Sequence, residues 1–268
     1  MDTIESLITR ACEAGASDIH LVRGIPAKCR INGELADLGG QPLTDVDCES
    51  YARALAGHRY DSIAEIGELD LARTIAGWRI RINLFRQQGT VSAALRMLSN
   101  TIPELEQLCL PQAVSLFSGY DKGMVLVTGE SGSGKSTTLA ALLNRINRMR
   151  RLHIVTLEDP IEYIYKPERC IINQREIGRD TFGYADGLRA VLREDPDIIL
   201  IGEMRDLPTI ETALTAAETG HLVFATLHTN SAVDAVDRIV LAFPEERQSQ
   251  IRTPRQHLPR PGHRLPLR

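Results

Sequence analysis

Gly129-Glu-Ser-Gly-Ser-Gly-Lys-Ser136 decides the fold, together with the Met124-Val-Leu-Val-Thr128 that precedes it and the Thr137-Thr-Leu-Ala-Ala-Leu-Leu-Asn144 that follows. The eight residues fit G-x-x-x-x-G-K-[ST] at every fixed position. The apolar run before them predicts a buried strand and the run after them a helix, the context this loop requires. Gly129, Gly132 and Gly134 let the backbone bend so that amide N–H groups converge on phosphate oxygens. Glu130, Ser131 and Ser133 occupy the variable positions. The helix N-terminus, opening at Ser136 and Thr137, adds partial positive charge. Lys135 is placed to reach the β/γ-phosphates and the Ser136 hydroxyl to meet Mg²⁺. The pattern implies a nucleoside triphosphate site that also takes Mg²⁺.

Composition excludes several classes. The chain has 268 residues, 43% hydrophobic and 25% charged, enough for one large or two modest folded domains. A net charge of −4 speaks against a dedicated nucleic-acid binder. The opening Met1-Asp-Thr-Ile-Glu5 carries acid where a signal peptide needs base. No window reaches the roughly 18 apolar residues of a membrane span. Cys12, Cys29, Cys48, Cys109 and Cys170 are scattered without a C-x-x-C pair and read as reduced thiols of a cytosolic protein.

Outward from the loop, two regions and a tail separate. In residues 1–101, Ile4, Leu7, Ile8 and Ala11 recur at helical spacing, with Asp2 and Glu5 placed as an N-terminal capping pair. Ser17-Asp-Ile-His-Leu-Val22 reads as a strand, and Lys28-Cys-Arg-Ile31 runs into an Asn32-Gly33 hairpin turn. Trp78-Arg-Ile-Arg-Ile-Asn-Leu-Phe85 alternates polar and apolar, so Arg79 and Arg81 share one face while Ile80, Ile82 and Leu84 share the other. An α+β module fits. Residues 102–111, flanked by prolines, read as a linker. In residues 112–252 strands alternate with helices: after the phosphate loop come His153–Leu157, Asp197–Ile201 and His221–His228. That order implies a parallel sheet with helices on both faces and ligands at the carboxyl ends of its strands.

Acids lie at those ends. Glu203, just past a buried strand, is the candidate for activating water, and Glu158 for a second acidic contact to water or Mg²⁺. His221 and His228 are seven strand positions apart, roughly 23 Å at about 3.3 Å each, and point to opposite faces, so they do not share one metal ion. His228, at the carboxyl end, is placed to sense the γ-phosphate, whereas His221 by local logic is structural.

Five segments together resemble the secretion and type IV pilus traffic ATPases, and specifically their pilus retraction (twitching motility) branch: Gly15-Ala-Ser-Asp-Ile-His20, Arg79–Arg86, the phosphate loop, Thr156-Leu-Glu-Asp-Pro-Ile-Glu162 and Asp195–Asp206. The run Thr219–Asn230 resembles the family's histidine box. The resemblance spans residues 1–252. It implies a PAS-like α+β N-terminal domain followed by a RecA-like core, and a homo-hexamer that hydrolyses ATP to disassemble pili. The expected location is cytoplasmic, against an inner-membrane platform protein of the pilus machine. It further implies that Glu158 and Asp159 form an acidic box, that Glu203 is the catalytic glutamate, and that His228 and His221 both serve the site. It also implies that Arg81 and Arg96 of the N-terminal domain neutralise charge developing on the γ-phosphate at a subunit boundary.

The pattern is departed from in two places. Glu130-Ser131 stand where the family commonly has Pro-Thr. After Arg252 the chain becomes Thr-Pro-Arg-Gln-His-Leu-Pro-Arg-Pro-Gly-His-Arg-Leu-Pro-Leu-Arg268, with four prolines, four arginines and no acid. No helix or central strand tolerates such proline density. The expectation is therefore a core cut short or frame-shifted after residue 252. A pilus extension or secretion ATPase, and a non-catalytic nucleotide-binding fragment, stay open as alternatives.

Overall fold

Alternating side chains build much of the first sheet, and mainly apolar runs build the centre of the second. The computed structural model describes residues 2–99, 101–229 and 231–252. They fall into two units, Met1–Thr101 with Glu162–Ile164, and Ile102–Ile161 with Tyr165–Arg268. The reading of the 253–268 tail lies outside the described residues.

In the first unit, helix α1 (Ile4–Glu13) buries Ile4, Leu7, Ile8 and Ala11. Its cap is Thr3, in extended conformation, whose Oγ1 accepts the Ser6 N–H at 3.2 Å. Asp2 instead pairs with Arg10 at 2.7 Å. The expected Asp2/Glu5 capping pair is thus corrected to Thr3. The rest of the unit is β1 (Asp18–Leu21), β2 (Lys28–Ile31), β3 (Glu34–Asp37), α2 (Asp45–Ala56), α3 (Ser62–Ile66), β4 (Glu68–Ile75), β5 (Trp78–Gln87) and β6 (Thr90–Met97). The six strands form one antiparallel sheet in the order β3-β2-β1-β6-β5-β4. Asn32 and Gly33 both take positive φ, 50° and 88°, as the two-residue turn between β2 and β3 requires. On β5, Ile80, Ile82 and Leu84 are fully buried. Arg81 lies directly opposite Arg96 on β6, and Arg96 opposite Asp18 on β1, so these residues share one face.

The second unit contains α4 (Ala113–Leu116), β7 (Gly123–Thr128), α5 (Lys135–Met149), β8 (His153–Glu158), β9 (Ile171–Glu176), α6 (Tyr184–Val191), β10 (Ile198–Ile201), α7 (Leu207–Glu218), β11 (Leu222–Leu227), α8 (Ala232–Leu241) and α9 (Glu245–Arg252). Its sheet is parallel throughout, in the order β7-β11-β10-β8-β9. Every residue of β10 and β11 is buried. The strand before the phosphate loop departs from expectation: in β7 only Val125 is fully buried. Among the described residues β7 borders the sheet on one side alone, so its apolar side chains stay partly open. Residues 102–111 also carry structure. A 3₁₀ turn at Leu105–Leu108 buries Leu105, and Glu104 pairs with Arg148 of α5 at 2.6 Å. No helix among the described residues is long and apolar enough to cross a membrane.

Helix α6 lies so close to β8 that a Cβ on Gly187 would come 3.0 Å from Leu157 Cδ2 and 3.1 Å from Thr181. Leu157 is fully buried, so any shift it makes disturbs the packed core around it. Gly187→Ala should therefore destabilise the protein. Overpacking costs about 1–3 kcal/mol, and this outweighs the helix-propensity gain of up to about 1 kcal/mol. A urea midpoint equal to or above that of the wild type would show that α6 can shift freely.

Candidate functional site

The phosphate loop connects the carboxyl end of β7 to α5, and its conformation follows from its glycines. Gly129, Gly132 and Gly134 all take positive φ, at 150°, 79° and 93°. A Cβ on Gly129 would lie 2.6 Å from Ser133 Oγ and 3.3 Å from its Cβ, at a backbone angle that side chains rarely adopt, so glycine suits the position. Gly134 caps α5 without a side-chain hydrogen bond. No capping side chain competes for the first-turn amides, which suits an anion there. Lys135 is buried, and its Nζ donates to the carbonyls of Gly129 at 2.9 Å and Glu130 at 2.8 Å. The ammonium is held inside the curve of the loop. Glu130, Ser131, Gly132, Ser133 and Ser136 are exposed, and Gly134 and Thr137 half-buried. These features fit a nucleotide's phosphates.

Parallel strands bring the acids to the same edge as the loop, because β7 and β11 run in register from Gly123–Leu222 to Thr128–Leu227. Glu158 ends β8. Its Oε1 accepts from Thr156 Oγ1 at 2.7 Å and from Gln174 Nε2 at 3.2 Å. Asp159 follows and is exposed. Glu203 lies just past β10, with its side chain only 19% exposed. Arg205 Nη2 donates to Glu203 Oε2 at 2.7 Å, and His228 Nε2 lies 3.4 Å from Oε1. Burial pushes the Glu203 carboxyl up, but the hydrogen bond and charge of Arg205, with His228, outweigh it and hold it below the usual carboxylate range. Tyr184, at the start of α6, has its hydroxyl 3.0 Å from where a Gly202 Cβ would be. Burial first, then the charges of Asp159 and Glu203, raise its phenol. It therefore stays protonated at neutral pH, a donor beside the acids.

Glu203, His228 and Tyr184 thus converge, with Glu158 and Asp159 ending the neighbouring strand. His221 does not join them. It precedes β11, level with the start of β7, about six strand positions or roughly 20 Å from the loop. Its backbone N–H donates to the Ala216 carbonyl at 3.2 Å, and its Nδ1 lies 2.9 Å from that same oxygen. Within this chain His221 closes the last turn of α7, as its local sequence suggested. Arg81 and Arg96 belong to the first unit, where Arg81 lies 3.9 Å from Asp70 and Arg96 3.1 Å from Asp18.

Three features carry no clear sequence signal. Thr226 Oγ1 donates to the Gly202 carbonyl, fixing the turn that presents Glu203. Gln174 sits on β9, a strand whose Ile-Ile-Asn-Gln-Arg-Glu has little apolar period. Arg205 lies inside a motif singled out for its acids alone.

The sequence pattern of the family described as Type II/IV secretion system protein matches residues 74–248. The Pseudomonas aeruginosa protein named "Type IV pilus retractation ATPase PilT" is 42% identical over 252 residues, covering 93% of this chain and 73% of its own length. An Escherichia coli protein, "Uncharacterized protein YggR", is 45% identical over 251 residues, covering 93% of this chain and 76% of its own. A crystal structure described as the pilus retraction motor PilT with bound ADP superposes with a TM-score of 0.90 at 47% identity, covering 94% of this chain and 74% of that one.

Proposed function

The chain belongs to the type II/IV secretion system protein family, on its PilT-like pilus retraction branch, and on that premise we propose that it is a Mg²⁺-dependent ATPase that powers pilus retraction. The carrying observation is the phosphate loop, with its buried Lys135, at the same sheet edge as Glu203. Binding of ADP by the related motor supports a nucleotide in this loop.

The loop amides from Gly129 to Ser136, with Thr137, hold the phosphates, and Lys135 neutralises the β/γ oxygens. Bound Mg²⁺ supplies a positive centre for the phosphate charge. The Ser136 hydroxyl and the Glu158 carboxylate, directly or through water, are the groups that would hold it. Among the described residues no cluster of three or more His, Cys, Asp or Glu forms a metal cage. Mg²⁺ commonly relies on phosphate and water instead of one. Asp159 adds negative charge beside Glu158. Glu203 orients the attacking water and accepts its proton, and His228, next to Glu203, responds to the γ-phosphate. The working assembly in this reading is a homo-hexamer at the cytoplasmic side of an inner-membrane pilus platform protein.

In that ring, Arg81 and Arg96, neighbours on one exposed face, supply positive charge to the γ-phosphate of a nucleotide at a subunit boundary. Arg81→Ala should lower turnover by at least about tenfold while nucleotide affinity stays near that of the wild type. An unchanged ATPase rate in an assembled ring would remove Arg81 from the mechanism. The function itself is tested in a bacterium lacking its retraction ATPase. This chain should restore twitching and its Glu203→Gln variant should not; if neither restores it, the retraction role fails.

A further inference from the structure

The segment that presents Glu203 is anchored at alternate residues. The Gly202 N–H donates to the Leu157 carbonyl at 2.8 Å, and the Gly202 carbonyl accepts the Thr226 hydroxyl. The Met204 N–H donates to the Thr226 carbonyl at 3.1 Å, and the Met204 side chain is buried. The Asp206 carboxylate caps α7 by accepting the Thr209 N–H at 2.8 Å. Residues 202, 204 and 206 are thus tied into the core, and the side chains of 203 and 205 are left to meet. The Arg205 side chain is 67% exposed, and among the described residues its one ion pair is with Glu203. An ion pair this open adds little to folding. Its geometry is nonetheless specific, since the guanidinium takes Oε2 and leaves Oε1 toward His228.

We propose that Arg205 is the positioning residue for Glu203, fixing the carboxylate so that Oε1 is the oxygen presented to water. The inference rests on the reading of Glu203 as the water-activating group. Arg205 takes up one acceptor site of Oε2 at 2.7 Å, which turns Oε1 to the side of His228, 3.4 Å away. The guanidinium also opposes the effect of burial, which on its own would favour the protonated acid. The other charged or titratable groups around this end are His228 after β11, Tyr184 on α6, and Glu158 and Asp159 at the end of β8. The acids and the phenol cannot replace the positive charge. His228 can do so only when protonated.

The test uses the full chain with Arg205→Gln and Arg205→Lys, following both turnover and the Glu203 carboxyl resonance in ¹³C-glutamate-labelled protein. That resonance is assigned by its loss in Glu203→Gln. Arg205→Gln should lower kcat roughly ten- to a hundredfold, the scale of a misplaced reacting group, with KM within about twofold and the melting temperature unchanged. The Glu203 titration, and with it the acidic limb of kcat, should move to higher pH. Arg205→Lys keeps the charge, so its Glu203 titration should stay near the wild-type position and part of the rate should return. A wild-type kcat and an unmoved titration in Arg205→Gln would overturn the proposal. An equal rate loss in both variants with no movement of the titration would overturn it too, since that is how a purely structural role behaves. If Glu203→Gln itself turns over normally, the reading of Glu203 fails. The carboxyl titration still decides whether Arg205 governs the state of Glu203.

Discussion

Lys135→Ala should weaken nucleotide binding on the order of a hundredfold and leave no measurable turnover. The ammonium is buried and held by two loop carbonyls at 2.8 and 2.9 Å, so it is already directed into the loop before any nucleotide arrives. Each hydrogen bond from a charged donor contributes about 1.5–3 kcal/mol, and two such bonds to phosphate oxygens at the lower end of that range account for a loss of this size. Alanine also removes the brace that ties Gly129 and Glu130 to the start of α5. The fold should survive, since the core beneath the loop is built from Leu139, Leu142, Leu143 and Ile146. Titration with a fluorescent nucleotide analogue reads the affinity, and a circular dichroism melt controls for folding. An affinity within a few-fold of the wild type would mean that the loop holds phosphate through its amides alone.

Glu203→Gln separates chemistry from binding. Glutamine keeps the shape, and its carbonyl can still accept from Arg205, but the carboxylate that orients water and takes its proton is gone. A positioned general base contributes about 10²–10⁴ in rate, so kcat should fall by at least about a hundredfold while nucleotide affinity changes little. The contrast with Lys135→Ala is diagnostic: one variant loses the ligand and the other holds it without turning it over. Phosphate release under saturating ATP measures the effect, and a fall of less than about fivefold would move the role of Glu203 to another group.

The parts of this arrangement that were legible in the sequence are those whose cause is local. His153-Ile-Val-Thr-Leu157 and Ile198-Ile-Leu-Ile201 are short, β-rich and mainly apolar without alternation, as a strand covered on both faces needs. Gly129, Gly132, Gly134, Lys135 and Ser136 are legible because the loop's shape depends on which residues lack a Cβ. What could not be read locally depends on neighbours far along the chain. The sequence of β7 is as apolar as that of β8, yet β7 is half-open because of its place in the strand order. Strand β9 is polar enough at Asn173, Gln174 and Arg175 to pass for a loop, and pairing with β8 makes it a strand. Asp2 and Thr3 both suit a helix cap, and the choice fell to the residue whose Oγ1 reaches the Ser6 N–H. The Glu203–Arg205 contact exists because residues 202, 204 and 206 are tied to three different partners, which spacing alone does not reveal. His221 shows the opposite case. Its position at the start of a strand placed it away from the loop within one chain, and the structure has it there, against the end of α7.

The most direct measurement of the central claim is phosphate release by the purified protein with ATP, with and without Mg²⁺, set beside nucleotide binding in the same preparation. The expected result is Mg²⁺-dependent release that disappears in Glu203→Gln while that variant still binds nucleotide. Release that is absent from the wild type although nucleotide binds, or that persists unchanged in Glu203→Gln, would contradict a hydrolysis site built from the phosphate loop and Glu203.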